Sequence, residues 1–134
     1  MSRILLNPED HVQVPAYHHV AVATGTRQIH VAGQVSWDAD GVTVAAGDLA
    51  GQVAQVLRNV HKSLQIAGAT FADVVRITWY VVDWEPGKAD AFLAGLQRAA
   101  SEFGPQTPPA AVIGVNALWS PDFLVEAEVT AVID

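Results

Sequence analysis

The chain has 134 residues, with fourteen acids against seven bases and a formal charge of −7. The bases (Arg3, Arg27, Arg58, Lys62, Arg76, Lys88, Arg98) are scattered, leaving no cluster to track a phosphate backbone, so no nucleic-acid partner is expected. Cysteine is absent, which removes disulfides and thiolate metal sites, and the length fits one domain over 1–134 with its own core.

In chain order, the opening MSRILLNPEDH has no long apolar run before Asn7, Pro8 and the acids. No secretory signal or membrane span is expected, and the setting reads as cytoplasmic. From Tyr17 to Val35 the pattern predicts two strands joined as a hairpin around Gly25-Thr26-Arg27. Asp38-Ala39-Asp40-Gly41 is a turn leading to a short strand near Val42–Val44. Asp48 is placed to cap a helix in which Leu49, Val53, Val56, Leu57, Val60 and Leu64 recur at helical spacing, ended by Gly68. The run Val74–Val82 (VVRITWYVV) reads as a strand buried on both faces. Phe92, Leu96, Ala99, Ala100 and Phe103 mark a second helix stopped by Gly104-Pro105. Ala110–Ala117 and Leu124–Ile133 supply two last strands around a turn at Ser120-Pro121-Asp122. The order is βββαβαββ, an α+β layer fold with two helices on one face of a mixed sheet.

The last strand carries the chemistry. Glu126 and Glu128 alternate with Val125, Ala127 and Val129, so both carboxylates share one strand face while aliphatic groups fill the other. An acid pair in such a strand is costly unless its face is wet or partnered. A carboxylate in a poorly hydrated pocket has a raised pKa, which suits acid–base work near neutrality. Glu126 is therefore the catalytic candidate, set against a plain surface acid or one paired across an interface. Glu128 either couples to it or meets solvent.

Several segments together resemble the RidA family (YjgF/YER057c/UK114), small trimeric proteins whose best-known members hydrolyse reactive enamines and imines. The family's PYSQAV-like element is matched by Pro15-Ala16-Tyr17-His18-His19-Val20-Ala21 and its VSGQI by Val31-Ala32-Gly33-Gln34-Val35. Its closing strand VEIEAIAV is matched by Val125-Glu126-Ala127-Glu128-Val129-Thr130-Ala131-Val132. The resemblance spans about Tyr17 to Val132. It implies a RidA-like, chorismate-mutase-like layer fold, a homotrimer and a small-molecule site at subunit interfaces. By position it assigns Glu126 to water activation or proton relay, and Tyr17, Gly33, Gln34, Ala110, Ala111 and Glu128 to substrate binding. No cofactor and no metal are implied.

One departure stands out. The family's PAR-[SC] pattern falls on Pro108-Pro109-Ala110-Ala111, so the arginine that grips a substrate carboxylate is replaced by Ala110. The serine of VSGQ is Ala32, and an asparagine of the second helix aligns with Leu96. A methyl group cannot replace a bidentate guanidinium. Arg27 and Arg76 are the candidate substitutes, and nothing in the sequence places either in the pocket.

Each of the matched positions also has a plainer reading. Tyr17 is either a pocket wall or an edge aromatic. Gly33 either admits a ligand to the backbone or serves a bulge. Of the five histidines, His18 and His19 are adjacent and would point to opposite strand faces, while His30 could approach one of them across the hairpin. No metal-ligand spacing appears. Trp37, Trp79, Trp84 and Trp119 fit packing as well as a pocket lining. Charged residues are only 16% and apolar ones 51%, against about 25% charged in an average soluble domain, which also favours an oligomer.

Two functional classes follow. The first is a divergent family member acting as a hydrolase on a neutral imine, enamine or related C–N bond, without 2-aminoacrylate deaminase activity. The second is a trimer that binds a neutral, largely apolar metabolite without transforming it. A further alternative is an active deaminase using a different carboxylate anchor. No membrane partner is expected.

Overall fold

The alternation in the C-terminal segment places a strand at the centre of the fold. In a computed structural model, which describes residues 2–134, the elements are β1 (Ser2–Leu6), β2 (Val20–Thr24), β3 (Arg27–Val35), α1 (Leu49–Ile66), β4 (Val74–Val82), α2 (Ala89–Phe103), β5 (Ala110–Val115) and β6 (Val125–Ile133). Single 3₁₀ turns at Phe71–Asp73 and Pro86–Lys88 precede β4 and α2. Four strands form a mixed sheet in the order β3-β6-β4-β5, antiparallel except for the parallel β4–β5 pair. The α+β class and the βββαβαββ order agree with the expectation.

The apolar side of β6 makes the core. Val125, Ala127, Val129, Ala131 and Ile133 are buried with Ile77, Trp79 and Val81 of β4 and with Val53, Val56, Val60 and Leu64 of α1. Asp48 caps α1 as expected, its carboxylate accepting from the Gly51 N–H at 3.0 Å. Gly104 closes α2 at φ 86°, where a side chain would be strained. The two helices lie close together at Gly95 of α2, where a Cβ would sit 2.5 Å from the Val53 Cβ and 2.7 Å from the Ala50 carbonyl oxygen.

Three local expectations are corrected. Val42–Val44 is not a strand: an isolated Trp37–Thr43 bridge is all that pairs there. The third N-terminal strand is instead β1, a five-residue strand whose short apolar stretch is cut off by Asn7-Pro8. The strands flanking Gly25 do not form a hairpin with each other. β2 pairs with β1 and β3 pairs with β6. At the crossover Gly25 approaches the end of β6 so closely that a Cβ would lie 2.6 Å from the Ile133 oxygen, so the glycine serves a close approach rather than a tight turn. Finally, β4 is apolar on one face only: Arg76 is exposed and Tyr80 half-buried on the other.

The β1–β2 ribbon is tied down by Arg3. Its guanidinium donates to the carbonyls of Phe71 (3.3 Å) and Val74 (2.7 Å) and to the Gln106 side-chain oxygen (2.7 Å).

Gly95→Ala is expected to destabilise the protein by about 1–3 kcal/mol through overpacking, despite alanine's helix preference of ~1 kcal/mol over glycine. The measurement is a urea unfolding midpoint that falls with unchanged slope.

Candidate functional site

The polar face of β6 lies opposite the helices. Glu126 stands between Val35 of β3 and Tyr80 of β4, and Glu128 faces Thr78 on β4. Pairing of β3 with β6 shifts between Val31, which faces Val129, and Gln34, which faces Ala127. That step inserts one extra residue into β3, a bulge at Ala32–Gly33 beside the carboxylates. The Gln34 side-chain amide donates to the Ala32 carbonyl at 3.0 Å and so braces the bulge.

Gly33 is required by Glu126. A Cβ on Gly33 would clash with the Glu126 carboxylate, lying 2.9 Å from its Cδ, so the acid rests directly over the β3 backbone. Glu126 is half-buried. Burial pushes its pKa above the ordinary carboxylate range, and the neighbouring Glu128 charge adds to the shift. Glu128 is exposed and accepts a hydrogen bond from the Tyr80 hydroxyl at 2.6 Å. That bond, with desolvation and the nearby acids, raises the Tyr80 pKa. The two acids differ: Glu126 is the less hydrated, while Glu128 is oriented by a phenol. An arrangement of this kind can take a proton from water and return it to a nitrogen.

The other matched residues lie elsewhere in the chain. Tyr17, Ala110 and Ala111 line an apolar cavity of about 970 Å³ beneath α2, whose walls include Trp79, Phe92 and Leu96. Among its lining residues Asp90 is the only charged side chain. The structure therefore brings Gly33, Gln34, Glu126 and Glu128 together, and separately Tyr17, Ala110 and Ala111. A clasp that sequence reasoning missed ties His18 to Thr107, one of the residues lining this cavity. The His18 N–H donates to the Thr107 carbonyl at 2.9 Å, and His18 Nδ1 lies 2.9 Å from the Thr107 hydroxyl. A histidine next to Tyr17 and a threonine next to the proline pair give no sequence signal of meeting.

The histidines do not converge. His19 Nε2 bonds the Val12 carbonyl at 2.7 Å and its ring stacks on His11 at 4.0 Å. His30, with no hairpin to carry it toward them, sits by Gln28 on the carboxylate face of the sheet. Among the described residues no group of three or more His, Cys, Asp or Glu is arranged to hold a metal ion. No helix among them is long and apolar enough to cross a membrane.

A small mixed sheet with paired helices on one face and a glutamate over a glycine bulge on the other defines a class of α+β proteins, and comparison with known proteins identifies it. The family model described as Endoribonuclease L-PSP matches residues 10–133. A RutC family protein of Pyrococcus abyssi is 31% identical over 103 residues, covering 77% of this chain and 76% of its own. The Rid-family protein YyfB of Yersinia pestis superposes with a TM-score of 0.90 at 38% identity, over 99% of this chain and 100% of its own. Rv2704 of Mycobacterium tuberculosis, a YjgF/YER057c/UK114 family member, matches at TM-score 0.63 and 26% identity over 98% of this chain and 100% of its own. The chain belongs to the Rid (YjgF/YER057c/UK114) family.

The raised pKa of Glu126 has a signed consequence for stability. Its folded value lies above the unfolded one, so this group's contribution to stability is fully present below its unfolded pKa of about 4.3 and is lost as pH rises through the folded pKa. Glu126→Gln removes that cost. Its urea midpoint is expected above wild type at pH 7.5, with the difference closing by pH 4; a pH-independent difference would remove burial as the cause.

Proposed function

We propose that this protein is a divergent Rid-family hydrolase of neutral imines, enamines or related C–N bonds, without 2-aminoacrylate deaminase activity. The observation that carries the reading is the half-buried Glu126 carboxylate lying over Gly33 with its pKa raised. In the proposed reaction Glu126 accepts a proton as water adds its oxygen to the imine carbon. It returns that proton to the nitrogen, giving a carbinolamine; the carbinolamine's hydroxyl proton then passes through Glu126 to the nitrogen as the C–N bond breaks, and a carbonyl compound and an amine leave.

The substrate preference rests on position 110. Ala110 offers a methyl group where the family pattern has a guanidinium. Loss of such a charge-assisted pair removes roughly 1.5–3 kcal/mol, about one to two decades of affinity for a carboxylate substrate. A neutral substrate does not incur this loss.

A homotrimer would unite the two groups of residues, with Tyr17, Ala110 and Ala111 of one protomer set against a neighbour's Glu126. One observation supports assembly. Ile4 faces Val22 and Leu6 faces Val20 across the β1–β2 ribbon, and all four side chains are exposed. An apolar patch of that kind calls for a partner. The setting that suits a cysteine-free chain of this type is the cytoplasm.

The apolar cavity favours a second reading, in which the trimer binds a neutral metabolite without transforming it. Its size is within the range of small-molecule pockets, and its walls are aliphatic and aromatic.

Freshly generated 2-aminoacrylate is expected to decay no faster with protein than in buffer; rapid protein-dependent loss would overturn the proposal. Ala110→Arg is expected to create or raise that activity in a folded oligomer. With a neutral imine, Glu126→Gln is expected to reduce hydrolysis by about 10²-fold or more. Unchanged turnover would remove Glu126 from the reaction, and absence of turnover in wild type would favour the binding reading.

A further inference from the structure

α1 packs on the sheet through aliphatic side chains, yet three buried amides, Gln52, Gln55 and Asn59, lie among them. Gln52 and Asn59 are seven residues apart, which sets them two turns apart on one helix face. Leucine or methionine would satisfy packing alone at these positions, and a buried amide costs stability unless its hydrogen bonds are made.

Gln52 clamps the entry to β6. Its Oε1 accepts from the Leu124 N–H at 2.9 Å, and its Nε2 donates to the Asp122 carbonyl at 3.0 Å. One side-chain amide thus takes the backbone groups on either side of Phe123, as a neighbouring strand would. The Leu124 carbonyl accepts from the Val82 N–H of β4 at 3.0 Å, and Glu126 follows two residues later. Asn59 clamps the end of β3. Its Nδ2 donates to the Val35 carbonyl at 2.9 Å and to the Trp37 carbonyl at 3.0 Å. Gln55 orients that amide by donating to its Oδ1 at 3.3 Å. Val35 is the residue paired with Glu126.

The bulge makes a second support necessary at this point. Beyond the shift between Val31 and Gln34, two pairs, Gln34–Ala127 and Val35–Glu126, join β3 to β6. So short a ladder end opens easily unless it is held from elsewhere. α1 holds both of its strands, from the face opposite the carboxylates.

We propose, on the reading of Glu126 as the proton-handling group, that Gln52 and Asn59 are positioning residues for it: they fix the β6 entry and the β3 end, and so keep the carboxylate over Gly33.

The test follows the Glu126 side-chain carboxyl by carbon-13 NMR through a pH titration and needs no turnover. Gln52→Met and Asn59→Leu keep the approximate size of each side chain and remove its hydrogen bonds. Wild type is expected to titrate above the ordinary carboxylate range, as burial dictates. Both variants are expected to titrate closer to about 4.3, because a carboxylate displaced from the bulge gains water. Glu128 and Tyr80, the titratable groups beside it on β6 and β4, are unchanged in both. Gly68→Ala is the control for lost stability: it strains the backbone beyond α1 at φ 81° without touching either amide, and the Glu126 titration is expected to stay as in wild type. With a neutral imine, both amide variants are expected to lose about tenfold or more in kcat, with KM little changed.

An unchanged Glu126 titration in either amide variant, an equal change in Gly68→Ala, or a wild-type value in the ordinary range would overturn the proposal. Shifted titrations in the amide variants without turnover in wild type would support the positioning role and count against hydrolysis alone. If Asn59→Leu does not fold, Asn59→Ser serves, with a smaller change in the same direction expected and no change counting against the role.

Discussion

The structure depends on the two-faced character of β6. It is a central strand, paired with β3 on one side and β4 on the other, so every second side chain must suit a different environment. Its odd-numbered residues from Val125 to Ile133 are buried against the helix layer. Its even-numbered residues carry two carboxylates and a hydroxyl on the opposite side. A one-residue slip would put Glu126 and Glu128 into the core and Val125 and Ala127 outside. The same alternation that stabilises the fold therefore fixes the position of the two carboxylates.

The bulge in β3 resolves the conflict this creates. A half-buried carboxylate needs space and some relief from neighbouring side chains. Gly33 supplies the space, and the extra residue in β3 lets the strand keep its pairing on both sides of the acid. Gln34 holds the bulge through Ala32. That bond shapes the surface on which Glu126 rests.

Much of the layout was legible because it rests on local signals. The bounds Val74–Val82, the Asp48 cap, the Gly104 stop and the alternation in β6 are each written in a few adjacent residues. What escaped depends on long-range pairing. The β1 strand is too short to announce itself and is held by β2 and by Arg3 reaching Phe71 and Val74. The Gly25 segment has the composition of a hairpin turn, yet the backbone of β6 decides where its two strands go. The candidate residues were legible as types and faces; their separation into two groups follows from β5 lying beyond β4 in the sheet.

That separation bears on how the family's fold accommodates change. Glu126 and the bulge are coupled to the core through β6 and β3, so altering them disturbs the centre of the sheet. Ala110 sits at the start of β5, an edge strand paired only with β4, next to an open apolar cavity. Ala110 is only partly buried where it packs against the core, so a change of side chain there leaves no buried partner charge. The packing constraint is thus stronger at Glu126 than at Ala110. Under the proposed function, a chain of this fold keeps its proton-handling group while the residue that meets the substrate's charge varies, and the apolar walls around Ala110 then favour ligands that carry no charge at that end.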